Sequence, residues 1–400
     1  MNKGEPVVQK SYVHRYLTYA NSLLDNYHGN EPFHLFLKKY FSANKKHGSK
    51  DRKIISSLCY DTFRLGFGVS SQIATTEKLL LSTFLVEQEN SKILEELKPE
   101  WNGMIKENIL TKIDSVKNDF NPLAIFPFND ELSNGINVEH FNLSFLIQPK
   151  LFIRIRPGKK GIVLEKLKKA NILFESVNDN CLAFSNSENI SKLLLIDEEV
   201  VIQDYNSQRT GELLKNEWAG IENKLSVWDC CAASGGKSML AYDLFKNIEL
   251  TVSDARKNIL QNLHLRFQRA GITNYTSFVA DLSVPGPLKK IENFFDVIIT
   301  DVPCSGSGTW SRTPEQLSTF KQKEIKRYTN LQQKIVMNAL QYLKENGYLL
   351  YITCSVFKKE NEENVSFFQK SLNLQLIKSE YLKGDEMQAD TLFVALLKKP

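Results

Sequence analysis

From Leu225 onward, six apolar runs rich in β-branched and aromatic residues recur at 225–230, 249–253, 276–280, 296–300, 348–353 and 392–397, with helical patterns between them. Few folds accept that order. Runs of this kind read as strands buried on both faces, and strands alternating with helices build a parallel sheet wound in both directions. Residues 211–400 are therefore expected to form a doubly wound, Rossmann-like α/β domain. Such sheets hold ligands in the crevice beyond the carboxyl ends of their strands. Two of the runs end in a thiol, Cys304 three residues after Asp301 and Cys354 directly after Thr353. A third leads into Cys231, Ala232, Ala233, Ser234, Gly235, Gly236 and Lys237, a glycine turn opening a helix, which is how a nucleotide-like cofactor is usually cradled. Thiols and a cofactor turn at one sheet edge point to covalent group transfer.

The rest of the chain sets bounds. With 400 residues, 42% hydrophobic and 24% charged, it is globular and long enough for two or three domains. The longest strongly apolar stretch, Leu79 to Val86, falls well short of the roughly 18 residues of a membrane span, so no membrane association is expected. Met1 to Pro6 show no apolar signal-peptide core, and the six cysteines include no CxxC pair, so a cytoplasmic, monomeric protein with free thiols is expected. The six histidines show no metal-ligand spacing, and no metal is expected. Residues 1–142 read as a helical module, with apolar residues at three- and four-residue steps (Tyr16, Ala20, Leu23, Leu24; Ile54, Ile55, Leu58, Phe63). Pro122, Pro127 and Gly135 mark 118–142 as a loop-rich boundary. Residues 143–210 read as a small α+β segment, with strands at 151–156 and 199–204 and a short helix at 163–170.

Gly-Gly-Lys-Ser at 235–238 invites a phosphate-loop reading, but that motif needs a glycine where Cys231 stands. The next strands point elsewhere. Asp254 ends the second strand, where a carboxylate takes ribose hydroxyls, and Asp281 follows the third, within reach of an adenine amino group. Three carboxylates, Asp254, Asp281 and Asp301, suit a nucleoside carrying a cationic sulfur and no phosphate, namely S-adenosylmethionine. The bland alternative is that each aspartate caps a helix.

Net charge is +5, which fits a polyanionic partner without requiring one. Eight basic residues between Lys150 and Lys169 (Lys150, Arg154, Arg156, Lys159, Lys160, Lys166, Lys168, Lys169) face only Glu165 locally. They are dense enough for a phosphate track, with Arg154, Arg156 and Lys159 as the expected contacts. Lys38, Lys39, Lys45, Lys46, Lys50, Arg52 and Lys53 form a second cluster. Either run could equally be a solvated face.

The motifs in order, Cys231 to Lys237, Asp254, Asp281, Asp301 to Gly308 with Arg312 and Pro314, and Thr353-Cys354-Ser355 followed by Glu360, Glu363 and Asn364, resemble those of the Sun (Fmu) type RNA cytosine-5 methyltransferases. Ile202 to Gln208 resembles the segment that precedes the cofactor loop in that family. The resemblance spans about 148–400. More weakly, Leu37 to Phe41 and Lys45 to Arg52 resemble the helical, NusB-like RNA-binding extension of ribosomal RNA members.

The resemblance implies a class I methyltransferase domain at 211–400, a small RRM-like RNA-binding subdomain at 143–210 and a NusB-like domain at 1–142. It implies S-adenosylmethionine as cofactor and RNA, most naturally ribosomal, as partner. It assigns Cys354 as nucleophile and Cys304 to release of the product, with Asp301 on the cytosine edge or the cofactor and Lys237 holding Asp301 and lowering a thiol pKa. Related DNA enzymes use the Pro-Cys thiol as nucleophile instead. Carbon 5 of cytosine is too poor a nucleophile to be methylated unaided, so a thiolate must first add at carbon 6. Cys59, Cys181 and Cys230 are expected to be inert buried residues.

Two positions depart from the family: Ser234 stands where proline is usual, and the last strand reads Asp390-Thr-Leu-Phe. The extra carboxyl-terminal RNA domain of some members is not expected. A transfer RNA or DNA cytosine-5 methyltransferase, and a non-catalytic RNA-binding assembly factor, remain the alternatives.

Overall fold

The structure, a computed structural model, describes residues 12–217, 224–245 and 247–400. The reading of Met1 to Pro6 thus falls outside the described residues. Contacts divide the chain into two units, one formed by 1–129, 137–148 and 310–320, the other by 130–136, 149–309 and 321–400.

The first unit is helical, with long helices at Tyr12–Asn26, Phe33–Ala43, Ser49–Arg64 and Thr75–Val86. The first of these buries Val13, Leu17, Ala20 and Leu23, one stripe at three- and four-residue steps. Thr75–Val86 reaches solvent only in its first turn and is buried continuously from Leu79 to Val86, where it packs among the other helices of this unit. Residues 118–142 are turn-rich, as their prolines demand, but they form no open linker. Phe120, Ile125, Phe126 and Phe141 are buried, and the rings of Phe126 and Phe141 meet edge-on at 5.1 Å.

The second unit holds two sheets. In the smaller, antiparallel sheet the strands lie in the order Glu175–Ser176, Cys181–Phe184, Leu151–Ile155, Val200–Ile202. Helix Lys160–Lys169 covers one face through Val163 and Leu167, against Ile153, Ile155, Leu182 and Phe184. On the other face Phe152, Cys181 and Ala183 pack with Tyr205, Met387 and Ala389. Cys181 to Phe184 are all buried, so they show no alternation, which is why the sequence did not reveal this strand.

The larger sheet has strands β1 (Leu225–Asp229), β2 (Ile248–Asp254), β3 (Tyr275–Val279), β4 (Phe295–Asp301), β5 (Leu343–Thr353), β6 (Gln375–Leu382) and β7 (Leu392–Lys398). Their order is β6-β7-β5-β4-β1-β2-β3. Strands β1 to β5 pair in parallel, and β7 runs antiparallel to both β5 and β6. This is the doubly wound sheet the alternating pattern required. The edge strand β6 escaped sequence reading because most of its residues are exposed or only partly buried.

Successive residues point to opposite faces. Val227, Val252, Ile299 and Ile352 meet Leu260, Leu263 and Phe267 of helix α2 (Lys257–Ala270) and Met239 of α1 (Gly236–Leu244). Trp228, Ile298 and Tyr351 meet Ile335 and Val336 of α3 (Lys323–Leu340) and Phe368 of α4 (Glu362–Leu372). The order of strands reverses between β4 and β1, which opens a crevice at their carboxyl ends.

Candidate active site

The register of β4 against β5 pairs Asp301 with Ile352, so the two chains leave the sheet level with one another. Two or three residues later the thiols arrive together, with Cys304 Sγ and Cys354 Sγ 3.1 Å apart. The turns that carry them are pinned. Gly308 N donates to the Cys354 carbonyl at 2.9 Å, and Thr391 N donates to the Gly308 carbonyl at 2.9 Å. A Cβ at Gly308 would lie 1.9 Å from the Thr391 carbonyl oxygen, so only glycine fits.

Beneath the thiols lies a buried polar network. Glu360, fully buried, accepts from Ser305 N at 3.0 Å, Ser355 Oγ at 2.8 Å and Gln332 Nε2 at 2.7 Å. Gln332 also donates to the Pro303 carbonyl at 3.0 Å and accepts from Asn364 Nδ2 at 2.8 Å. One carboxyl thus ties the Cys304 turn, the Cys354 turn and α3 together. Burial pushes the Glu360 carboxyl up against the pull of its donors.

Hydrogen bonding to Cys354 together with burial pushes the Cys304 thiol well up. Two sulfurs this close cannot both ionise. The lowered thiol pKa expected from Lys237 is therefore not found at Cys304. Lys237 does hold Asp301, at 3.2 Å, and also donates to Ser207 Oγ at 2.8 Å.

The turn at 231–237 is fixed residue by residue. Ala232 N donates to the Ser253 carbonyl at 2.9 Å, Ala233 N to Asp254 Oδ2 at 3.0 Å, and Gly235 N to the Ala232 carbonyl at 2.7 Å. Gly235 has φ 85°, and a Cβ there would lie 2.7 Å from the Phe267 ring. At Gly236 the nearest atom to such a Cβ would be Gln203 Nε2 at 4.0 Å, so the turn stays open on that side. Asp254 is buried at the end of β2. Burial pushes its carboxyl up, but hydrogen bonds from Arg256 Nε (3.0 Å), Arg256 N (2.9 Å) and Ala233 N hold it below the usual range. Asp281, by contrast, is exposed and accepts from Ser283 N and Oγ at 2.9 and 2.6 Å.

All the expected site residues but Arg312 and Pro314 fall in the second unit. Those two belong to the segment 310–320 of the first. Cys59, Cys181 and Cys230 are buried, and burial pushes all three thiols up, Cys181 to about 12.

The phosphate track does not hold as read. Arg154 is buried and Arg156 partly buried, and they clamp Asp243 at 2.6 and 2.8 Å. Lys166 pairs with Glu199 at 2.8 Å, Lys150 with Glu175 at 2.5 Å and Lys160 with Asp179 at 3.2 Å. The fold brings these acids from elsewhere in the chain, where a local count cannot see them. Ser207 falls in the 202–208 segment the sequence singled out, whereas Gln332, Arg256 and Arg266 are site neighbours that sequence reasoning missed. Only Arg256 had a local signal, a guanidinium two residues beyond a carboxylate.

Among the described residues no helix is long and apolar enough to cross a membrane, and no group of His, Cys, Asp and Glu side chains could hold a metal ion.

Residues 218–396 match the model of the family described as 16S rRNA methyltransferase RsmB/F. A 28S rRNA (cytosine-C(5))-methyltransferase of Mus musculus is 32% identical over 161 residues, 38% of this chain and 19% of the mouse protein. Ribosomal RNA small subunit methyltransferase F of Psychromonas ingrahamii is 32% identical over 145 residues, 36% of this chain and 30% of that one. The chain thus spans less than a third of either relative. The crystal structure of PH0851 covers 98% of this chain and 99% of its own at a TM-score of 0.70 and 18% identity, a likeness of fold.

Proposed function

We infer from the match over residues 218–396 that this part of the chain is a methyltransferase domain of the RsmB/F family, and that the protein transfers a methyl group from S-adenosylmethionine to carbon 5 of a cytosine in ribosomal RNA. The observation that supports this most directly is the pair of sulfurs 3.1 Å apart at the ends of adjacent parallel strands, beside Asp301 and Lys237. No inert core needs two polar thiols there. S-adenosylmethionine, when bound, supplies an electrophilic methyl group. The amides of 231–237, Asp254, Asp281 and Asp301 are the groups that would hold it. The open side at Gly236 and the buried carboxylate of Asp254 fit that task. A ribose diol would compete on Asp254 with the Arg256 guanidinium, whose side chain is 61% exposed.

Cys354 forms a bond to carbon 6 of the cytosine, and the electron pair displaced from the 5,6 double bond makes carbon 5 nucleophilic enough to take the methyl group. Loss of the carbon 5 proton to a base then lets the carbon–sulfur bond break and restores the aromatic ring. Cys304, its thiol pushed up, can donate its S–H to the Cys354 sulfur and serves that release. Asp301, steadied by Lys237, faces the crevice where the cytosine edge or the cofactor must lie. The base must be single-stranded or flipped out for a thiol to reach it. The helical residues within 12–142 and the exposed Lys168 and Lys169, on the helix that covers the small sheet, supply RNA contacts, in a monomeric cytoplasmic enzyme.

The test uses the two thiol variants with labelled S-adenosylmethionine. Cys354→Ala should abolish both methyl transfer to ribosomal RNA and the covalent protein–RNA adduct. Cys304→Ala should accumulate an adduct that survives denaturing electrophoresis. The opposite pattern would make Cys304 the nucleophile. No transfer by wild type to ribosomal RNA, with transfer to transfer RNA or DNA, would overturn the substrate.

A further inference from the structure

The cofactor turn is bent through two left-handed residues, Ala233 at φ 46° and Gly235 at φ 85°, with Ser234 between them. Alanine adopts that backbone only under strain, so something must hold it. Ala233 is held by Asp254 and Gly235 by packing on α2. Ser234 is held by neither, and its amide donates to no group among the described residues. Its carbonyl and its Oγ both accept from Arg266 Nη1, each at 3.0 Å.

Arg266 is not free to wander. Its Nε and Nη2 donate to Asp197 Oδ1 at 2.9 and 2.8 Å, and Arg269 holds the other oxygen at 2.7 Å. Asp197 is itself buried, with its amide bonded to the Val200 carbonyl at 2.7 Å and its carbonyl accepting from Arg156 at 3.1 Å. The small antiparallel sheet thus reaches the cofactor turn through a chain of charge-assisted hydrogen bonds, the kind strong enough to fix geometry.

We propose that Arg266, locked by Asp197, is a positioning residue for the cofactor turn: it clamps Ser234 and so does for this chain what a rigid proline does where one stands at that place. What the turn binds rests on the methyltransferase reading, but the clamp itself does not. Arg266 touches neither the reacting atoms nor the thiols.

Two measurements on the full chain test it. In the protein alone, Arg266→Ala should speed hydrogen exchange at the Ala233 to Gly236 amides while leaving β4 and β5 protected. In calorimetry it should weaken S-adenosylmethionine binding by about tenfold. Arg266→Lys keeps a charge beside Asp197 but lacks the fork, and should behave the same way. Ser234→Pro added to Arg266→Ala should restore slow exchange and affinity to within about threefold of wild type.

Unchanged exchange in both Arg266 variants overturns the clamp. Loss without rescue by Ser234→Pro also overturns it, since Arg266 would then act through the fold at large. Faster exchange in Arg266→Ala, with wild type binding no S-adenosylmethionine, leaves the clamp standing and sinks the methyltransferase reading instead.

Discussion

The carboxyl edge of the large sheet and the basic run on the small sheet send similar signals in the sequence, each a local gathering of charge. At the sheet edge, Asp254 and Asp301 follow parallel strands whose ends face one crevice, and the backbone direction alone decides that. On the small sheet, Arg154 lies on a strand buried on both faces and Arg156 directly follows it, and both turn to Asp243. Charge gathered by topology is brought to one place by the backbone. Charge gathered only in sequence finds whatever counter-charge the fold supplies, and there it serves structure.

The sharpest way to break this comparison is Arg154→Ala. If the arginine is structural, the variant leaves Asp243 with half its partners in a buried place and should destabilise the second unit by about 3–5 kcal/mol in denaturant unfolding. Lys168→Ala, on an exposed position, should stay within about 0.5 kcal/mol. A drop of about one in the salt slope of RNA binding for Arg154→Ala, with stability intact, would restore it to a phosphate track.

The second test sharpens the contrast inside the sheet edge. Asp254→Ala removes a buried carboxylate and should weaken S-adenosylmethionine binding by about 1.5–3 kcal/mol. Asp281→Ala removes an exposed one and should weaken it by about 0.5–1.5 kcal/mol. Equal losses by calorimetry would mean that burial does not separate them.

A third test concerns Asp229, fully buried at the end of β1, where Ser238 Oγ donates to one of its oxygens at 2.6 Å. Burial pushes its carboxyl up to about 7, above the ordinary aspartate value it has when unfolded. Between those values the folded state holds a proton that the unfolded state has lost, so stability falls as pH rises from about 4 to about 7, by up to about 1.4 kcal/mol per unit. Asp229→Asn should flatten that slope in urea unfolding across the same window. An unaltered slope would place the titration elsewhere.

The strands of the large sheet were legible because their signal is local. Val227, Val252, Ile298 and Leu350 are apolar runs whatever surrounds them, and the thiols and aspartates at their ends inherit a common edge from parallel pairing. The Cys231 to Lys237 turn was legible for the same reason, since its glycines answer a local backbone demand. Strand β6 and the strand Cys181–Phe184 were not, one being too exposed to look apolar and the other too buried to alternate.

What only the tertiary structure decided is which charge meets which. Asp243 stands 89 residues from Arg154, Asp197 69 from Arg266, and Gln332 28 from Glu360. No spacing rule links such positions, because their meeting is settled by the closure of loops that carry whole helices and strands between them. A single sequence records the backbone preferences of each segment, and those set the sheet, the turn and the strand ends. The partners of buried polar groups are set last, by packing that must satisfy every donor and acceptor it has taken out of water.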